Sequence, residues 1–478
     1  MIALTLDRIA EITRTRMSGS ARPTDVVAGP VVVDSRGAGP GSLFVALRGE
    51  RVDGHDFAAA AVEAGAAAVL GSRPVDAPAL LVDGGDDEVV AALGRLAREV
   101  AERISAAGAD IVGITGSSGK TTTKDLLAQV LDRLGPTVAP AGSFNNEIGH
   151  PLTVLRADER TRFVVLEVAA RGIGHIAHLC RIAPPRIGVV LNVGSAHMGE
   201  FGGKEAIAQA KGELVEALPD AERGGVAVLN ADDPAVAAMA GRTRARVVTF
   251  GTGPGADVRA AGVRLDAAGR AEFTLAVGGE TASVRLAVVG EHQVHNALAV
   301  AAVAAEFGMG ARDIAAALAE AGPVSRWRME VTELADGTTV VNDAYNANPE
   351  SMAAALRTLG SIAEGRRAFA VLGHMAELGE RSREEHERIG RLAAEAGVDG
   401  LIVVGEEAAP IAEGAAGVEG RRGETIAVPD AAAAVAALTE RLRPKDVVLV
   451  KGSRVAGLEQ VAEGLSAAGP LAEQGEAQ

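Results

Sequence analysis

The stretch GITGSSGKTTTKD, residues 113–125, decides the fold. It grows out of the apolar run DIVGIT (110–115), which reads as a buried strand, and continues into a helix-forming run from Thr121. A strand, a glycine loop and a helix opening on Gly-Lys-Thr make an anion cradle, because backbone N–H groups and the helix N-terminus converge on one point. Lys120 is placed to neutralise β/γ-phosphate oxygens and Thr121 to offer its hydroxyl to Mg²⁺. The expected nucleotide contacts are Gly116, Ser117, Ser118, Gly119, Lys120, Thr121 and Thr122. The glycines, at 113, 116 and 119, are not spaced as in the commonest phosphate loop.

Outward from the loop, the runs FVVLEV, RIGVVLNV, GVAVLN and ARVVTF alternate with helical stretches. That alternation predicts a mostly parallel sheet covered on both faces. Residues 251–290 break the rhythm with alternating apolar and polar positions and glycine turns, and predict an antiparallel insertion. The fold class expected is α/β with three domains. Residues 1–84, with short apolar runs such as VVVDSR and SLFVALRG, form a small α/β unit. Residues 85–322 form the central nucleotide domain. Residues 323–478, after Gly322-Pro323, show TTVVNDAY, RAFAVLG, GLIVVG and DVVLVKGS between alanine-rich helices and predict a Rossmann-like domain.

The 478 residues carry a formal net charge of −16, which argues against general binding to nucleic acid or anionic membranes. The one cysteine, Cys180, permits no intrachain disulfide and reads as a buried thiol in a reducing compartment. Charges at Asp7, Arg8 and Glu11 exclude a signal-peptide core, and no apolar run approaches the ~18 residues of a membrane span. A cytoplasmic monomer is the expectation. Of 47 basic residues only six are lysine: Lys120, Lys124, Lys204, Lys211, Lys445 and Lys451. In a chain that uses arginine for ordinary positive charge, each lysine is informative.

Glu167 ends the strand FVVLE, and in an open parallel sheet such ends line the ligand crevice. A carboxylate there suits Mg²⁺, although it could equally be a solvated strand end. His197 follows the next strand end; a lone histidine is more often a packed or surface residue. Lys211 stands fourteen residues later on a helix. A primary amine, unlike guanidinium, can react with CO₂ to give a carbamate, an anionic metal ligand.

These segments resemble the Mur ligase family, the ATP-dependent amide-forming enzymes of peptidoglycan precursor synthesis. The motifs TGSSGKTTTKD, GSFNNEIGHPLTVL, LEVAARGIGHI, LNVGSAHMGEFGGKEAIAQAKGEL, GEHQVHNALAVAA, VNDAYNANPESMAAAL, LGHMAELGE and VKGSR follow in family order, and residues 33–57 resemble its UDP-substrate domain. The resemblance implies an acyl phosphate formed from ATP and a UDP-N-acetylmuramoyl-tripeptide, then attack by the amine of D-alanyl-D-alanine. YNANP and MAELG are the specific marks. The alternatives are a family member that adds the third residue, diaminopimelate or lysine, and a non-catalytic nucleotide switch.

By the same resemblance, Lys120, Glu167, His197 and Lys211 are the catalytic set. Thr121 and Glu167 hold one Mg²⁺, and His197 with carbamylated Lys211 supports a second. Asn296 contacts adenine, while Arg328 and Asp343 reach the nucleotide from the third domain, which closes over ATP about residues 321–325. Ser35 and Arg36 meet the uridine end, and Asn145 and Asn146 the sugar-peptide side. Tyr345, Asn346 and Asn348 shape the acceptor pocket, unless Asn346 is only a cap and Asn348-Pro349 only a helix start. Gln293 replaces an asparagine and His374 an aspartate common in relatives.

Overall fold

The computed structural model describes residues 1–49, 51–194 and 203–467. Three large sheets organise it, beside a two-stranded one of Leu4–Thr5 and Val26–Val27. The first orders strands Arg16–Ser18, Ala79–Leu81, Ala68–Gly71, Leu43–Val45 and Val31–Val32, parallel except for the first. The helix Asp86–Ala106 follows, with three acids in its first turn to complement the helix dipole. Its buried residues Val89, Leu93, Leu96, Val100 and Ile104 repeat every three or four positions. They share one core cluster with Ile9 on one side and Ile176 and Leu179 on the other, so this helix joins the first unit to the second.

The central sheet has nine strands: Glu280–Val289, Arg270–Val277, Val258–Leu265, Arg246–Gly251, Val226–Asn230, Ile187–Val190, Asp110–Thr115, Phe163–Glu167 and Thr137–Val138. The alternating segment therefore extends this sheet rather than standing as a separate insertion. Val258–Leu265 adds parallel to Arg246–Gly251, and the two strands after it return antiparallel. The helix Gln293–Glu306 is buried along almost its whole length. It packs against the helix Lys120–Asp132 and the sheet, which is why its apolar pattern runs all round.

The third sheet orders Glu330–Glu333, Thr339–Asp343, Val447–Lys451, Ala368–Leu372, Gly400–Val404 and Glu424–Val428, all parallel except the first. The central strands are fully buried and were legible as apolar runs. The two edges, Glu330–Glu333 and Glu424–Val428, are half-buried to exposed and carry too little apolar content to announce themselves. Among the described residues, no helix is long and apolar enough to cross a membrane.

Candidate active site

Strand Asp110–Thr115 lies between Phe163–Glu167 and Ile187–Val190, all parallel. The chain order switches sides here, and the C-terminal ends of the flanking strands bring Glu167 and Asn192 to the two sides of the glycine loop. Asn192 was not singled out in the sequence. Its Oδ1 accepts the N–H groups of Ser117 and Ser118, each at 2.9 Å, and its amide donates to the Ser118 carbonyl at 3.2 Å. Those two backbone donors are thus committed to the loop's own brace. The orphan N–H groups at the start of the helix Lys120–Asp132 are the ones left for phosphate. Gly119, at φ +82°, requires glycine: a Cβ there would stand 2.4 Å from Asn296 Oδ1. The Lys120 amine folds back to donate to the Gly116 carbonyl at 2.7 Å. Burial holds it below the ordinary lysine pKa; the Glu167 charge opposes that shift and Arg328 adds to it.

A cleft of 540 Å³ separates the loop from the C-terminal unit. Ser117–Thr122, Asn145, Asn296, Arg328, Asp343, Tyr345, Asn346 and Asn348 all line it, so most of the residues singled out from the sequence converge there. The C-terminal unit lies against the loop. Arg328 Nη2 donates to Thr121 Oγ1 at 3.1 Å, its guanidinium lies 4.1 Å from the Tyr345 ring centre, and Asn348 Nδ2 approaches the Ser117 carbonyl at 3.5 Å. Asp343 and Lys451 are register partners at the ends of adjacent strands. They pair at 2.5 Å, Lys451 also donates to the Asn346 carbonyl at 2.9 Å, and Asp343 Oδ1 accepts the Met329 N–H at 3.1 Å. Lys451 was missed as a site residue, although its rarity as a lysine was the available signal. Asn348, not Asn346, is the cap: it forms a capping box with Ser351 on the helix Pro349–Ile362.

Glu167 is fully buried. Its Oε2 accepts from Ser143 Oγ at 3.1 Å and Asn145 Nδ2 at 3.3 Å, whereas Oε1 has no hydrogen-bond partner among the described residues. Lys211 is 5 % exposed, and no hydrogen bond or ion pair joins its amine to any described residue. Burial, aided by the Lys120 charge, drives its pKa well below the ordinary lysine value. An orphaned carboxylate oxygen, a threonine hydroxyl and a buried amine are hard donors or precursors of one, and they fit Mg²⁺. No group of three or more His, Cys, Asp or Glu stands together among the described residues. His197 lies outside the described residues.

The remaining expected positions divide. Asn296 donates to Gln293 Oε1 at 2.7 Å, and Gln293 in turn reaches His292 at 3.0 Å, so the departure at 293 braces the asparagine. Asn146 faces its own backbone: its Oδ1 accepts from Ile148 and Gly149 at the start of the helix Gly149–Val154. Ser35 and Arg36 lie on the turn Ser35–Gly37 of the first unit, away from the cleft lining. The Arg36 guanidinium beside Asp34 holds that carboxyl down to about 2. His374 stacks on His386 with ring centres 5.1 Å apart. Cys180 is buried, its thiol pushed up to about 12.

Two further histidines carry a pH prediction. Burial lowers His150 and His292 to about 4. Between that value and the ordinary 6.5 the unfolded chain binds more protons, so stability rises with pH across this window and is lost as pH falls through it. Thermal midpoints measured from pH 7 to pH 4.5 should fall, and His150→Gln should make the slope shallower. An unchanged slope would remove His150 from the explanation.

A phosphate loop at the switch point of a parallel sheet, closed by a second Rossmann-like unit, defines a three-domain nucleotide-dependent enzyme. Family models agree: the Mur ligase family, catalytic domain, matches residues 30–111, the Mur ligase middle domain residues 114–304, and the Mur ligase, glutamate ligase domain, residues 327–454. The chain is 52 % identical over 505 residues, covering 98 % of each chain, to a Mycobacterium tuberculosis protein named UDP-N-acetylmuramoyl-tripeptide–D-alanyl-D-alanine ligase. It is 36 % identical to the Escherichia coli protein of that name, over 97 % of this chain and 99 % of that one. Among solved structures it matches Acinetobacter baumannii MurF (TM-score 0.84, 30 % identity, 97 % and 99 % covered). It also matches Thermotoga maritima MurF ligase in complex with ADP (TM-score 0.77, 32 % identity, 92 % and 98 % covered). The chain belongs to the Mur ligase family.

Proposed function

We infer that this protein is the ATP-dependent ligase that joins D-alanyl-D-alanine to UDP-N-acetylmuramoyl-tripeptide in peptidoglycan synthesis. One observation carries the reading: a chain 52 % identical to a ligase of that name across 98 % of its length places Tyr345, Asn346 and Asn348 opposite the phosphate loop in one cleft. In the first half-reaction a carboxylate oxygen of the tripeptide attacks the γ-phosphorus of ATP and ADP leaves. The dipeptide amine then attacks the acyl carbon, the C–O bond to phosphate breaks, and the amine loses a proton. Two anions must meet, so the residues' task is to orient and neutralise. Lys120 releases Gly116 and turns to the transferring phosphoryl oxygens. Arg328 supplies a second cation from the opposite wall.

Thr121, Glu167, His197 and a carbamate on Lys211 would hold Mg²⁺ ions, which when bound offset the charge of the phosphate oxygens. Thr121 must first give up the hydrogen bond from Arg328. Asn296 supports the adenine end, and Asp343 the ribose. Ser35 and Arg36 serve the UDP end, with Asn145 and Asn146 on the sugar-peptide side. Residues 1–84, 85–322 and 323–478 act as UDP-substrate, ATP and acceptor domains. The single buried cysteine supports a cytoplasmic location and the chain's acidity the lack of a nucleic-acid partner; we propose that the protein is a monomer.

The test is phosphate release. It should require ATP, the tripeptide precursor and D-alanyl-D-alanine together, with a pentapeptide product by mass. Full release on replacing the tripeptide by the dipeptide precursor and the acceptor by diaminopimelate would favour the sister activity. Release without any acceptor would favour a nucleotide switch.

A further inference from the structure

Asp125, Gln129 and Arg133 recur every fourth residue along the helix Lys120–Asp132 and its C-cap, and so share one face. That face holds the chain that leads into the C-terminal unit. Arg133 pairs with Glu320. Gln129 grips Gly322 twice, donating to its carbonyl at 2.7 Å and accepting its N–H at 3.2 Å. Asp125 Oδ2 accepts the Ser325 N–H at 2.9 Å, while Oδ1 pairs with Lys124. Lys124, 1 % exposed, donates to the Pro140 carbonyl at 2.7 Å and reaches Ser325 Oγ at 3.4 Å. A buried ion pair adds little net stability, because desolvation offsets the attraction; what it can add is one specified geometry.

Beyond Ser325 the backbone changes character. Trp327 (φ 59°) and Met329 (φ 50°) are both left-handed, a conformation side chains disfavour. Between them stands Arg328, 3.1 Å from Thr121. We propose that Asp125 and Gln129 are positioning residues for phosphoryl transfer. They bind the connector, as far as Ser325, to the same helix whose first turn carries Lys120 and Thr121. The C-terminal unit then pivots at residues 326–329, not within residues 321–325 where the sequence alone places the hinge, and Arg328 arrives at the loop in register. This rests on the ligase reading given above.

Hydrogen exchange of the full-length protein, with and without a non-hydrolysable ATP analogue, tests the pivot. The amides of Gly322 and Ser325 should stay slow in both states, while those of residues 327–329 change at least about tenfold. The reverse pattern would overturn the proposal. Gln129→Ala should lower the thermal midpoint modestly, for the two bonds lost to Gly322, yet stay folded at the assay temperature. It should hold analogue affinity within about twofold but lower kcat roughly 10- to 100-fold, because reacting groups are displaced without loss of binding. The double variant Lys124→Met/Asp125→Leu, which removes both charges at similar volume, should do the same. A kcat within about twofold of the parent, or a loss that follows the loss of folded protein, would reduce the contacts to ordinary packing. If the parent shows no phosphate release with both substrates, the ligase reading fails, and the exchange pattern still decides the pivot.

Discussion

Lys120→Ala is expected to lower kcat by about 10³-fold or more while the protein stays folded. The loop's shape does not depend on the amine. Asn192 holds Ser117 and Ser118 from the neighbouring strand, and the Gly119 turn is fixed against Asn296. Among the described residues the amine makes one bond, to the Gly116 carbonyl, so its loss should cost only about 1 kcal/mol of stability. Burial disfavours its charge and the Glu167 carboxylate opposes that shift, so an arriving anion would favour the charged form further. With phosphate in place, a cation enclosed between loop and Arg328 is worth far more than one in water. Single-turnover measurement of ADP formation, alongside a thermal melt, is the check. ATP hydrolysis at the parent's rate would refute the phosphate role.

Much of this site was legible because its chemistry needs unusual residues at strand ends. Glu167 ends a fully apolar run, and Lys120 follows a glycine at a strand–helix junction. The lysine bias was a stronger signal than its first use suggested. Lys124, Lys211 and Lys451 are all buried, Lys120 stands in the cleft wall, and only Lys204 and Lys445 are exposed. What stayed hidden depends on pairs distant in sequence. Asp343 and Lys451 meet only because two strands 108 residues apart are neighbours. Asn192 looks like any polar residue after a strand until the loop is folded over it. The contacts that bear on the expected hinge stayed hidden for a related reason: Gly322-Pro323 reads as a flexible joint, and nothing local reveals that Gln129 bonds Gly322 and Asp125 bonds Ser325.

Lys211→Arg is expected to remove most activity, about 10²-fold or more, with the fold retained. The lysine is buried on the helix Lys204–Glu216 with no hydrogen-bond or ion-pair partner among the described residues. Burial first, then the Lys120 charge, holds the amine well below the ordinary lysine pKa and so favours its neutral form. A neutral amine has the lone pair needed to attack CO₂: an N–C bond forms, a proton passes to solvent, and an anionic carbamate results. Arginine keeps the positive charge at every accessible pH and cannot follow. The linkage has a definite sign. Between the depressed folded value and the ordinary lysine value the unfolded chain binds the extra proton, so without CO₂ the Lys211 contribution to stability rises with pH across that window. Activity should therefore fall in CO₂-depleted buffer and return with bicarbonate. In Lys211→Ala, formate or acetate should restore part of the turnover by supplying the missing carboxylate. A Lys211→Arg enzyme working at the parent's rate in CO₂-free buffer would rule the carbamate out.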